Sequence, residues 1–407
     1  MSSATAATSP VSDLPACWSQ TRFGYHFTES SERNGDSPVG HLLSVSEYRG
    51  IEVNTRTVGQ RASEDVSNYR VVRPGQLAAN MMWLNHGGLG VSELLGYISP
   101  AYKSFWISDA FASRYVHHLF RSSRYVNYFN AIGSGVRPNS QMVTRTILGM
   151  MPVPLPPMTT QRAIADYLDR ETGEIDAMIG KLDEMADALR VRVVESIAKE
   201  LVQVADRRRL RWMVAAINTG PFGTQVKQAD YVVDGIPLIN PSHLVDGRIV
   251  PDSKVAVDEV KAGELERFAL QEGDIVVARR GELGRSAVVR STDLPAICGT
   301  GCLRVRAASE NALPEYVQLV ISSREAVREL SQLSVGATME NLNERILGEV
   351  RVPVLTIDEQ RELLGRVQAV QEATEAMLAK VAELKELLIE RRAALITDVV
   401  TGRKVVA

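Results

Sequence analysis

Two long stretches of the chain carry apolar side chains at alternating steps of four and three residues. In residues 159–205 these positions are Ile175, Met178, Leu182, Met185 and Leu189, and in residues 358–400 they are Leu363, Val367, Val370, Met377, Val381, Leu384, Leu388 and Leu395, with Thr374 and Arg391 filling two further places of the same stripe. A sustained repeat of about 3.5 residues is typical of a coiled-coil seam. It predicts two helices, each roughly 60 Å long at 1.5 Å per residue. A pair of unusually regular core helices would give a similar pattern.

The two stretches are copies of each other, displaced by 199 positions. The matches include Pro154 with Pro353, Gln161-Arg162 with Gln360-Arg361, Met178 with Met377, and Ile147-Leu148-Gly149 with Ile346-Leu347-Gly348. A proline-rich run precedes each helix and is expected to stay extended. Thr159 and Asp358 are the expected N-caps. An internal repeat of this length indicates that the chain is built twice over.

The regions outside the two helical stretches predict an α+β fold with two similar globular parts. Short strand-like runs such as His41–Val45, Arg70–Val72 and Asp274–Ala278 alternate with glycine-containing turns. Each part also contains one predicted amphipathic helix, over residues 110–130 and 314–333. The resulting division is a disordered leader (1–12), a first globular domain (13–152), a first long helix with its proline-rich entrance (153–206), a second globular domain (207–351), and a second long helix with a C-terminal tail (352–407).

The composition indicates a protein with ordinary buried cores in a reducing compartment. The hydrophobic content is 45%, and no apolar run approaches the 18 or so residues needed to span a bilayer. The N-terminal residues are small and polar, unlike a signal peptide. Three scattered cysteines favour the cytoplasm. Cys298 and Cys302 could be half of a metal site, but without a second Cys/His pair we expect small buried residues.

The net charge of −3 is unevenly distributed along the chain. Residues 160–206 and 358–400 together carry 20 acidic and 12 basic side chains, a charge of −8, so the remainder carries +5. The globular parts are therefore mildly basic. That balance permits phosphate binding there.

Sequence signals for catalysis are weak. Asn240-Pro241-Ser242-His243 begins like the loop of an amino-methyltransferase but lacks its second proline and aromatic residue, and no GxxxxGK[ST] loop is present. Asp252 with Glu259 and Lys261 only superficially matches a nuclease. His117-His118 is expected on a partly exposed helix face. No metal site is predicted.

Polar and basic loops in the globular parts are better candidates, and they suit DNA. Arg279, Arg280 and Arg285 follow a strand and are separated by glycines, a pattern that suits guanine edges and phosphates. The corresponding region of the first part offers amides, which suit adenine edges. Arg22-Phe23-Gly24-Tyr25 and Pro221-Phe222-Gly223-Thr224 are interpreted as equivalent early loops. The candidate DNA-contacting residues are Arg22, Tyr48, Arg49, Asn80, Trp83, Asn85, His86, Phe222, Asn240, His243, Arg279, Arg280 and Arg285.

The order of these parts resembles the specificity subunit of type I restriction–modification systems. The resemblance is carried by PLPPMTTQRAIADYLD (154–169), VPVLTIDEQRELL (352–364), LLSVSEYRG (42–50), LGVSELLGYISPAY (89–102), GDIVVARRGELGRSAVV (273–289) and LITDVVTG (395–402). It implies two target-recognition domains, each reading one half of a bipartite DNA site. It also implies two antiparallel helices that form a coiled-coil spacer, with internal pseudo-two-fold symmetry.

The resemblance further implies partners and cofactors. Two methyltransferase subunits would dock on the helices, and motor–nuclease subunits would join them. The chain itself would bind no cofactor, since S-adenosylmethionine belongs to the methyltransferase and ATP with magnesium to the motor–nuclease. The helix positions assigned to docking and spacing are Gln161, Arg162, Leu168, Ile175, Leu182, Leu189, Gln360, Arg361, Val367, Met377, Leu384 and Leu388. A self-sufficient DNA methyltransferase and a coiled-coil scaffold without a DNA role remain the alternatives.

Overall fold

The computed structural model describes residues 9–46, 50–55, 65–133, 142–222, 225–308, 310–334 and 342–406. It contains two compact units. Unit 1 comprises residues 1–183 and 382–407, and unit 2 comprises residues 184–381. The boundaries fall inside the two long helices, so each unit contains part of both. Among the described helices, none has an apolar stretch long enough to cross a membrane.

Unit 1 contains two four-stranded sheets and a small two-stranded one. Its elements are β1 (Ser19–Arg22), α1 (Phe23–His26), β2 (Phe27–Glu29), β3 (His41–Ser46), β4 (Gly50–Val53), β5 (Arg70–Val72), β6 (Leu77–Asn80), a 3-10 turn (Leu84–His86), β7 (Leu89–Val91), β8 (Gly96–Ile98), β9 (Tyr102–Ile107), α2 (Ser113–Arg121), α3 (Ser123–Ile132), α4 (Arg145–Met150), β10 (Pro152–Leu155) and the start of α5 (Met158–Val202). The main sheet has the order β2-β9-β6-β7, the second has the order β4-β3-β8-β5, and β1 pairs with β10.

Unit 2 repeats this plan. Its elements are β11 (Arg207–Arg209), β12 (Val214–Thr219), β13 (Ile236–Ile239), β14 (Leu244–Val245), β15 (Arg248–Ile249), β16 (Ala256–Val257), α6 (Glu259–Glu264), β17 (Asp274–Ala278), β18 (Ser286–Val288), β19 (Ile297–Cys298), β20 (Cys302–Ala307), α7 (Pro314–Ile321), α8 (Arg324–Ser334), α9 (Glu344–Glu349), β21 (Arg351–Pro353) and the start of α10 (Ile357–Val400), with 3-10 turns at Leu210–Trp212, Gln228–Asp230, Pro241–His243, Glu266–Phe268 and Ser291–Asp293.

The main sheets and the small two-stranded sheets of the two units match strand for strand, whereas the second sheet of unit 1 (β4-β3-β8-β5) is replaced in unit 2 by the three-stranded sheet β16-β13-β19 and the separate hairpin β14–β15. The order β12-β20-β17-β18 corresponds to β2-β9-β6-β7, and the pair β11–β21 corresponds to β1–β10. The parallel pairing of β13 with β19 corresponds to that of β3 with β8. The internal repeat and the α+β class predicted from the sequence are therefore confirmed.

The cores of the two units differ in composition. Phe23, Phe27, Phe105 and Phe120 form a ring-on-ring cluster in unit 1, with centroids 4.3 to 5.7 Å apart. The corresponding core of unit 2 is mostly aliphatic, with Ile275, Val277, Leu303 and Val305 fully buried. One scaffold is thus filled by two different sets of side chains, because packing density matters more than identity.

Each predicted amphipathic helix of the globular parts is two helices instead of one. In unit 1 the chain leaves helical geometry at Ser122, whose φ of −64° and ψ of 148° separate α2 from α3. In unit 2, Ser322 and Ser323 separate α7 from α8. The Ser122 hydroxyl donates to the carbonyl of Leu119 at 2.7 Å, and Ser322 donates to Gln318 at 2.7 Å. Such local hydrogen bonds compete with the helical ladder.

The long helices are antiparallel within each unit. In unit 1, Asp176 of α5 pairs with Arg392 of α10, and Asp183 pairs with Lys385. Residue numbers therefore increase along α5 as they decrease along α10. In unit 2, Glu200 pairs with Arg366 at 2.9 Å. The α5 helix has 45 residues and α10 has 44. At 1.5 Å per residue both are about 65 Å long, close to the expected length.

The buried stripe of α10 drifts away from the predicted heptad positions. Thr374 and Val381 are buried as expected, but Met377 is 45% and Leu384 50% exposed. The inward places fall instead on their C-terminal neighbours, Leu378 and Lys385. A straight α-helix advances 100° per residue, so a strict count of sevens loses about 20° per repeat. Met377 and Leu384 therefore lie on the outer surface of the helix.

The cap of α10 lies earlier than predicted. Thr356 Oγ1 accepts from the amide of Glu359 at 3.3 Å, and Glu359 Oε2 accepts from the amide of Thr356 at 2.7 Å. This reciprocal pair is a capping box. Asp358 is already inside the first turn, as is Thr159 of α5, because the helices begin at Ile357 and Met158.

Two buried glutamines join the long helices to the globular parts in the same way. In unit 1, Gln161 Nε2 donates to the carbonyls of Ala110 (2.9 Å) and Pro156 (3.0 Å), while its Oε1 accepts from the amide of Ala112 (2.8 Å). In unit 2, Gln360 makes the equivalent three bonds, with Asn311, Leu355 and Leu313. Both side chains are at most 1% exposed. The predicted docking role of these two residues is therefore replaced by an internal one, since a buried carboxamide cannot contact a partner.

Part of the leader that the sequence predicts to be disordered is ordered. Residues 9–12 form a turn, with the amide of Ser12 donating to the carbonyl of Ser9 at 3.1 Å. The Arg124 guanidinium donates to Ser12 and to the carbonyl of Ser9. Arg124, on α3, thus holds residues 9–12 in place through hydrogen bonds that the polar composition of the leader does not predict. Residues 1–8 lie outside the described residues.

Candidate nucleic-acid interface

The loop between β6 and β7 gathers four of the candidate residues of unit 1. Trp83 is 49% exposed, and its ring lies 5.5 Å from that of His86. Asn80 Oδ1 accepts from the amide of Met82 at 3.1 Å and shapes the start of the loop. Asn85 lies in the 3-10 turn, and its buried Oδ1 has no hydrogen-bond partner among the described residues. The loop therefore presents an aromatic face beside polar groups.

A glycine closes this loop tightly. A Cβ at Gly88 would stand 2.6 Å from the carbonyl oxygen of Trp83, whose oxygen accepts from the amides of His86 and Gly88. Any other residue there would push Trp83 outward. The tight closure of the loop from Trp83 to Gly88 therefore requires glycine at position 88. The sequence alone shows only two adjacent glycines there.

Arg121 of α2 connects the β3–β4 hairpin to this loop, a role that the sequence did not predict. Its Nη1 donates to the carbonyls of Ser46 (3.2 Å), Gly87 (3.2 Å) and Leu89 (2.8 Å). The candidates Tyr48 and Arg49 follow Ser46 but lie outside the described residues. The hairpin that carries them is nevertheless held against the β6–β7 loop at its described ends.

His117 and His118 are structural residues and do not form an exposed helix face. His117 Nδ1 accepts from the amide of Val91 at 3.3 Å, and burial lowers the pKa of His117 to about 3. His118 is 7% exposed, and its Nε2 lies 2.6 Å from Asp169 Oδ1. Burial raises the pKa of Asp169, but the hydrogen bonds from His118 and Arg114 outweigh that and hold it below its usual value. These contacts attach α2 to α5.

The corresponding loop of unit 2 carries arginines. Gly281 and Gly284, with φ of 83° and 82°, let the chain turn between β17 and β18. Arg279 Nε donates to the carbonyl of Leu342 at 3.0 Å, so part of this side chain holds the segment that leads into α9. Arg280 is exposed. Arg285 donates to Glu282 at 2.9 Å and to the carbonyl of Pro241 at 3.4 Å, which brings this loop to the turn after β13.

That turn contains Asn240 and His243, and only one of them is accessible. His243 is 5% exposed, and its Nδ1 accepts from the amide of Asn240 at 3.3 Å. Burial is the main cause that lowers the pKa of His243. It shapes the turn from inside, a position from which it does not reach a duplex. Asn240 is half-buried at the rim.

The early loops pair differently from the sequence prediction. The amide of Phe23 donates to Met151 in unit 1, and the amide of Leu210 donates to Val350 in unit 2. Arg22-Phe23-Gly24-Tyr25 therefore corresponds to Arg209-Leu210-Arg211-Trp212, which follows β11 as the first follows β1. Tyr25 and Trp212 are both strongly exposed, at 73% and 69%. Phe222, 63% exposed, lies beyond β12 in a different loop.

The arginine run Arg207-Arg208-Arg209 and its neighbour Arg351 are not among the candidates predicted from the sequence. Arg209 and Arg351 are directly opposite each other across the β11–β21 pair. A run of three arginines, followed by Leu-Arg-Trp, is a visible basic signal. The run closely follows the acidic segment of α5, so the charge balance of this region does not stand out as basic.

The remaining helix candidates fall into three groups. Leu168, Ile175, Leu189 and Val367 are buried, and Leu182 and Leu388 are half-buried. Arg162, Arg361, Met377 and Leu384 are exposed. The buried group holds the helices in place, so only the exposed group is accessible to another molecule.

The residues considered for catalysis and metal binding have local structural roles. Asp252 Oδ1 accepts from the amide of Lys254 at 2.9 Å, and Lys261 Nζ donates to Glu264 at 2.7 Å. Asp258 caps α6. Cys298 and Cys302 are buried, as expected. Among the described residues, no group of three or more His, Cys, Asp or Glu side chains could hold a metal ion.

Comparisons with known proteins point in one direction. No family model matches the chain. The specificity subunit of the type I restriction enzyme EcoBI from Escherichia coli is 23% identical over 315 residues, which are 70% of this chain and 65% of that protein. The match thus spans just under two thirds of the relative's length.

Solved structures share the fold. A chain from a study of complex assembly and conformational transition of the type I R-M system has a TM-score of 0.69, with 16% identity over 95% of this chain and 98% of the other. The HsdS subunit from Thermoanaerobacter tengcongensis has a TM-score of 0.53, with 16% identity over 96% of this chain and 98% of that one. In both sequence and fold, this chain resembles the specificity subunits of type I restriction–modification systems, as its sequence predicts.

Proposed function

We propose that this chain is the DNA-binding specificity subunit of a type I restriction–modification complex, in which each unit reads one half of a bipartite site. The proposal is supported by a scaffold that occurs in both units, called here the frame, whose two copies carry different side chains in the loop that we assign to base reading. Gln161 and Gln360 fix the same frame in each unit through equivalent hydrogen bonds. The loops on this frame then present Asn80, Trp83 and His86 in unit 1 but Arg279, Arg280 and Arg285 in unit 2.

The chemistry of the two loops supports different base preferences. Amide side chains pair with the N6 and N7 groups of adenine, and guanidinium groups pair with O6 and N7 of guanine. Phosphate contacts would position each unit, and a few side chains would select the bases. The methylated adenine would be flipped out of the stack by a catalytic partner.

The outer surfaces of the long helices suit the docking of methyltransferase subunits. Met178, Leu384 and Leu387 are about half-exposed in unit 1, and Met185 and Met377 are so in unit 2. The repeat relates Met178 to Met377 and Met185 to Leu384. Like surfaces on the two copies would bind two copies of one partner, with motor–nuclease subunits joining that assembly in the cytoplasm. The helices would also set the spacer between the half-sites.

The methylome of the host tests this function. We expect a bipartite methylated motif that disappears when the gene is deleted. Replacing Arg280 by Gln should change or relax only the half of the motif that unit 2 reads, at a cost of about 1 to 3 kcal/mol in discrimination.

The matched control is Arg290→Gln, which removes an exposed arginine of unit 2 that follows β18 at the end opposite the loop. It should leave the motif unchanged. An identical methylome with and without the gene would overturn the proposed function. A change in both halves caused by Arg280→Gln would overturn the division of reading between units.

A further inference from the structure

Unit 2 has a basic groove that is separate from its reading loop. Arg207, Arg208 and Arg209 form β11, Arg351 lies across from them on β21, and Trp212 follows on the 3-10 turn. Together they line an open groove of about 540 Å³, called here the arginine groove. Arg208 and Arg209 are 64% and 52% exposed, so their guanidinium groups reach solvent.

The carboxylates around the arginine groove offset only part of its charge. Glu349 pairs with both Arg209 and Arg211, and Asp206 Oδ2 lies 3.8 Å from Arg208 Nη2. Glu329 accepts from the backbone amide of Arg351 at 3.0 Å. With Arg211 included, five guanidinium groups face three carboxylates, which leaves a charge of +2. The side chains that line the groove are four arginines and one tryptophan.

The cross-strand geometry favours an anion in this groove. Arg209 and Arg351 are register partners, and like charges directly opposite each other destabilise a strand pair. An anion between them would relieve that repulsion. Phosphates suit guanidinium groups because the planar fork donates two parallel hydrogen bonds. The exposed Trp212 ring beside them offers a flat apolar surface, which a simple anion does not need and a sugar–phosphate chain can use.

The position of the groove within unit 2 indicates duplex DNA as the ligand. The strand β12 leads from the groove at Val214 to Thr219, beside the reading loop, and its length is roughly 17 Å. The segment from Leu342 to Glu349, which contains α9, makes the same connection, because Leu342 bonds to Arg279 and Glu349 pairs with Arg211. At 3.4 Å per base pair the separation is about five base pairs. Arg345 of α9 is exposed between the two.

We propose that the arginine groove binds the phosphate backbone of duplex DNA beside the bases read by the unit 2 loop. Arg208 and Arg351 contact phosphates, and Trp212 packs against the sugar edge. This rests on the proposed function, to which it adds a second contact region. In unit 1 the corresponding strand positions hold Gln20, Thr21 and Arg22, with Pro152 opposite Arg22. That unit therefore keeps one arginine and the exposed Tyr25, so its flank contact is weaker.

The test is a salt titration of DNA binding by the full-length chain. Wild type and Arg208→Gln/Arg351→Gln are compared by fluorescence anisotropy on a labelled random-sequence duplex several turns long. Losing two phosphate contacts should make the slope of log K against log salt shallower by about 1.8. The affinity advantage of the wild type should then shrink about tenfold between roughly 50 and 200 mM KCl.

Two further variants separate charge from structure. Arg208→Lys/Arg351→Lys keeps both charges and should keep the wild-type slope, so it reports on folding as well. Arg248→Gln/Arg290→Gln removes two exposed arginines of unit 2 outside the groove and should change the slope far less.

Each outcome decides the proposal. An unchanged slope in Arg208→Gln/Arg351→Gln overturns the arginine groove as a DNA contact while the proposed function stands. Unchanged DNA binding with loss of a co-purifying subunit would assign the groove to an acidic protein surface instead, which also overturns it. If the wild-type chain does not bind DNA even at low salt, both proposals fail.

Discussion

At the scale of single residues, the side chains that define this protein are buried polar groups with a full set of partners. Gln161 and Gln360 use both amide hydrogens and the carbonyl oxygen in the same way. Each thereby satisfies three backbone groups that would otherwise be unpaired at the entrance of a long helix. Burying such groups without partners is costly, so the repeat of Gln-Arg in the sequence marks a structural joint.

Replacing Gln161 by Ala is expected to lower the free energy of unfolding by about 3 kcal/mol. The carbonyls of Ala110 and Pro156 and the amide of Ala112 would lose their partner. Urea denaturation followed by circular dichroism measures the loss. The control Gln368→Ala, on the exposed surface of α10, should change stability by no more than about 0.5 kcal/mol; equal losses would contradict the joint.

The neutral His117 predicts a dependence of stability on pH. Its folded pKa of about 3 lies below the usual 6.5, so the unfolded chain takes up a proton first as the pH falls. The stability that this residue contributes is therefore complete above pH 6.5 and declines between pH 6.5 and 3. Between pH 7 and 5 the wild type should lose up to about 2 kcal/mol more than His117→Gln. Denaturation curves at the two pH values test this; parallel losses would show that His117 does not carry the effect.

At the scale of elements, the two long helices, α5 and α10, pack in a defined antiparallel register. Asp176–Arg392 and Asp183–Lys385 in unit 1 and Glu200–Arg366 in unit 2 follow one antiparallel alignment of residue numbers. Such exposed ion pairs contribute little energy each. The buried apolar stripe contributes more to stability, and the ion pairs indicate the register in which the two helices pack.

Shortening both helices together should shorten the DNA spacer. Deleting residues 180–186 and 381–387 removes one matched segment from each helix and keeps Asp176–Arg392 and Glu200–Arg366. Seven residues span about 10 Å, equivalent to about three base pairs. We expect the spacer of the methylated motif to shrink by that amount.

The control for this shortening removes residues 180–186 alone. It shifts the two helices by two turns against each other and should destabilise the chain. A folded double deletion that still methylates the original spacer would show that the helices do not set it.

At the scale of the whole molecule, one frame occurs twice with two sets of surface side chains. The main sheets of the two units correspond strand for strand, yet the core of one unit is rich in aromatic rings and that of the other is mostly aliphatic. The basic groove belongs to unit 2 and the His118–Asp169 joint to unit 1. Each unit therefore has its own surface chemistry, which fits the reading of two different half-sites.

The isolated chain is expected to transfer no methyl group. Incubation with labelled S-adenosylmethionine and DNA should leave the DNA unlabelled, and addition of a methyltransferase subunit should start incorporation. The expectation follows from the proposed role as a specificity subunit. Incorporation by the chain alone would favour the self-sufficient methyltransferase instead.

Much of the architecture could be predicted because it depends on local or periodic signals. The strands at Arg70–Val72 and Asp274–Ala278 have the predicted bounds, since each is a short apolar run between turn residues. The repeat could be predicted because its offset is constant. The site was predicted less well. His243 and the Gln161 side chain look like surface groups in the sequence, and only packing around them shows that they are buried.

The sequence by itself determined the duplication, the two long helices and the basic character of the globular parts, because these follow from spacing and from composition along the chain. Only the tertiary structure decided which of these side chains face solvent. In α10 it places Leu378, and not Met377, on the buried side, because the 3.6-residue period of an α-helix does not match a seven-residue repeat. It also made Arg209 and Trp212 the counterparts of Arg22 and Tyr25, because strand pairing fixes equivalence where side chains have diverged.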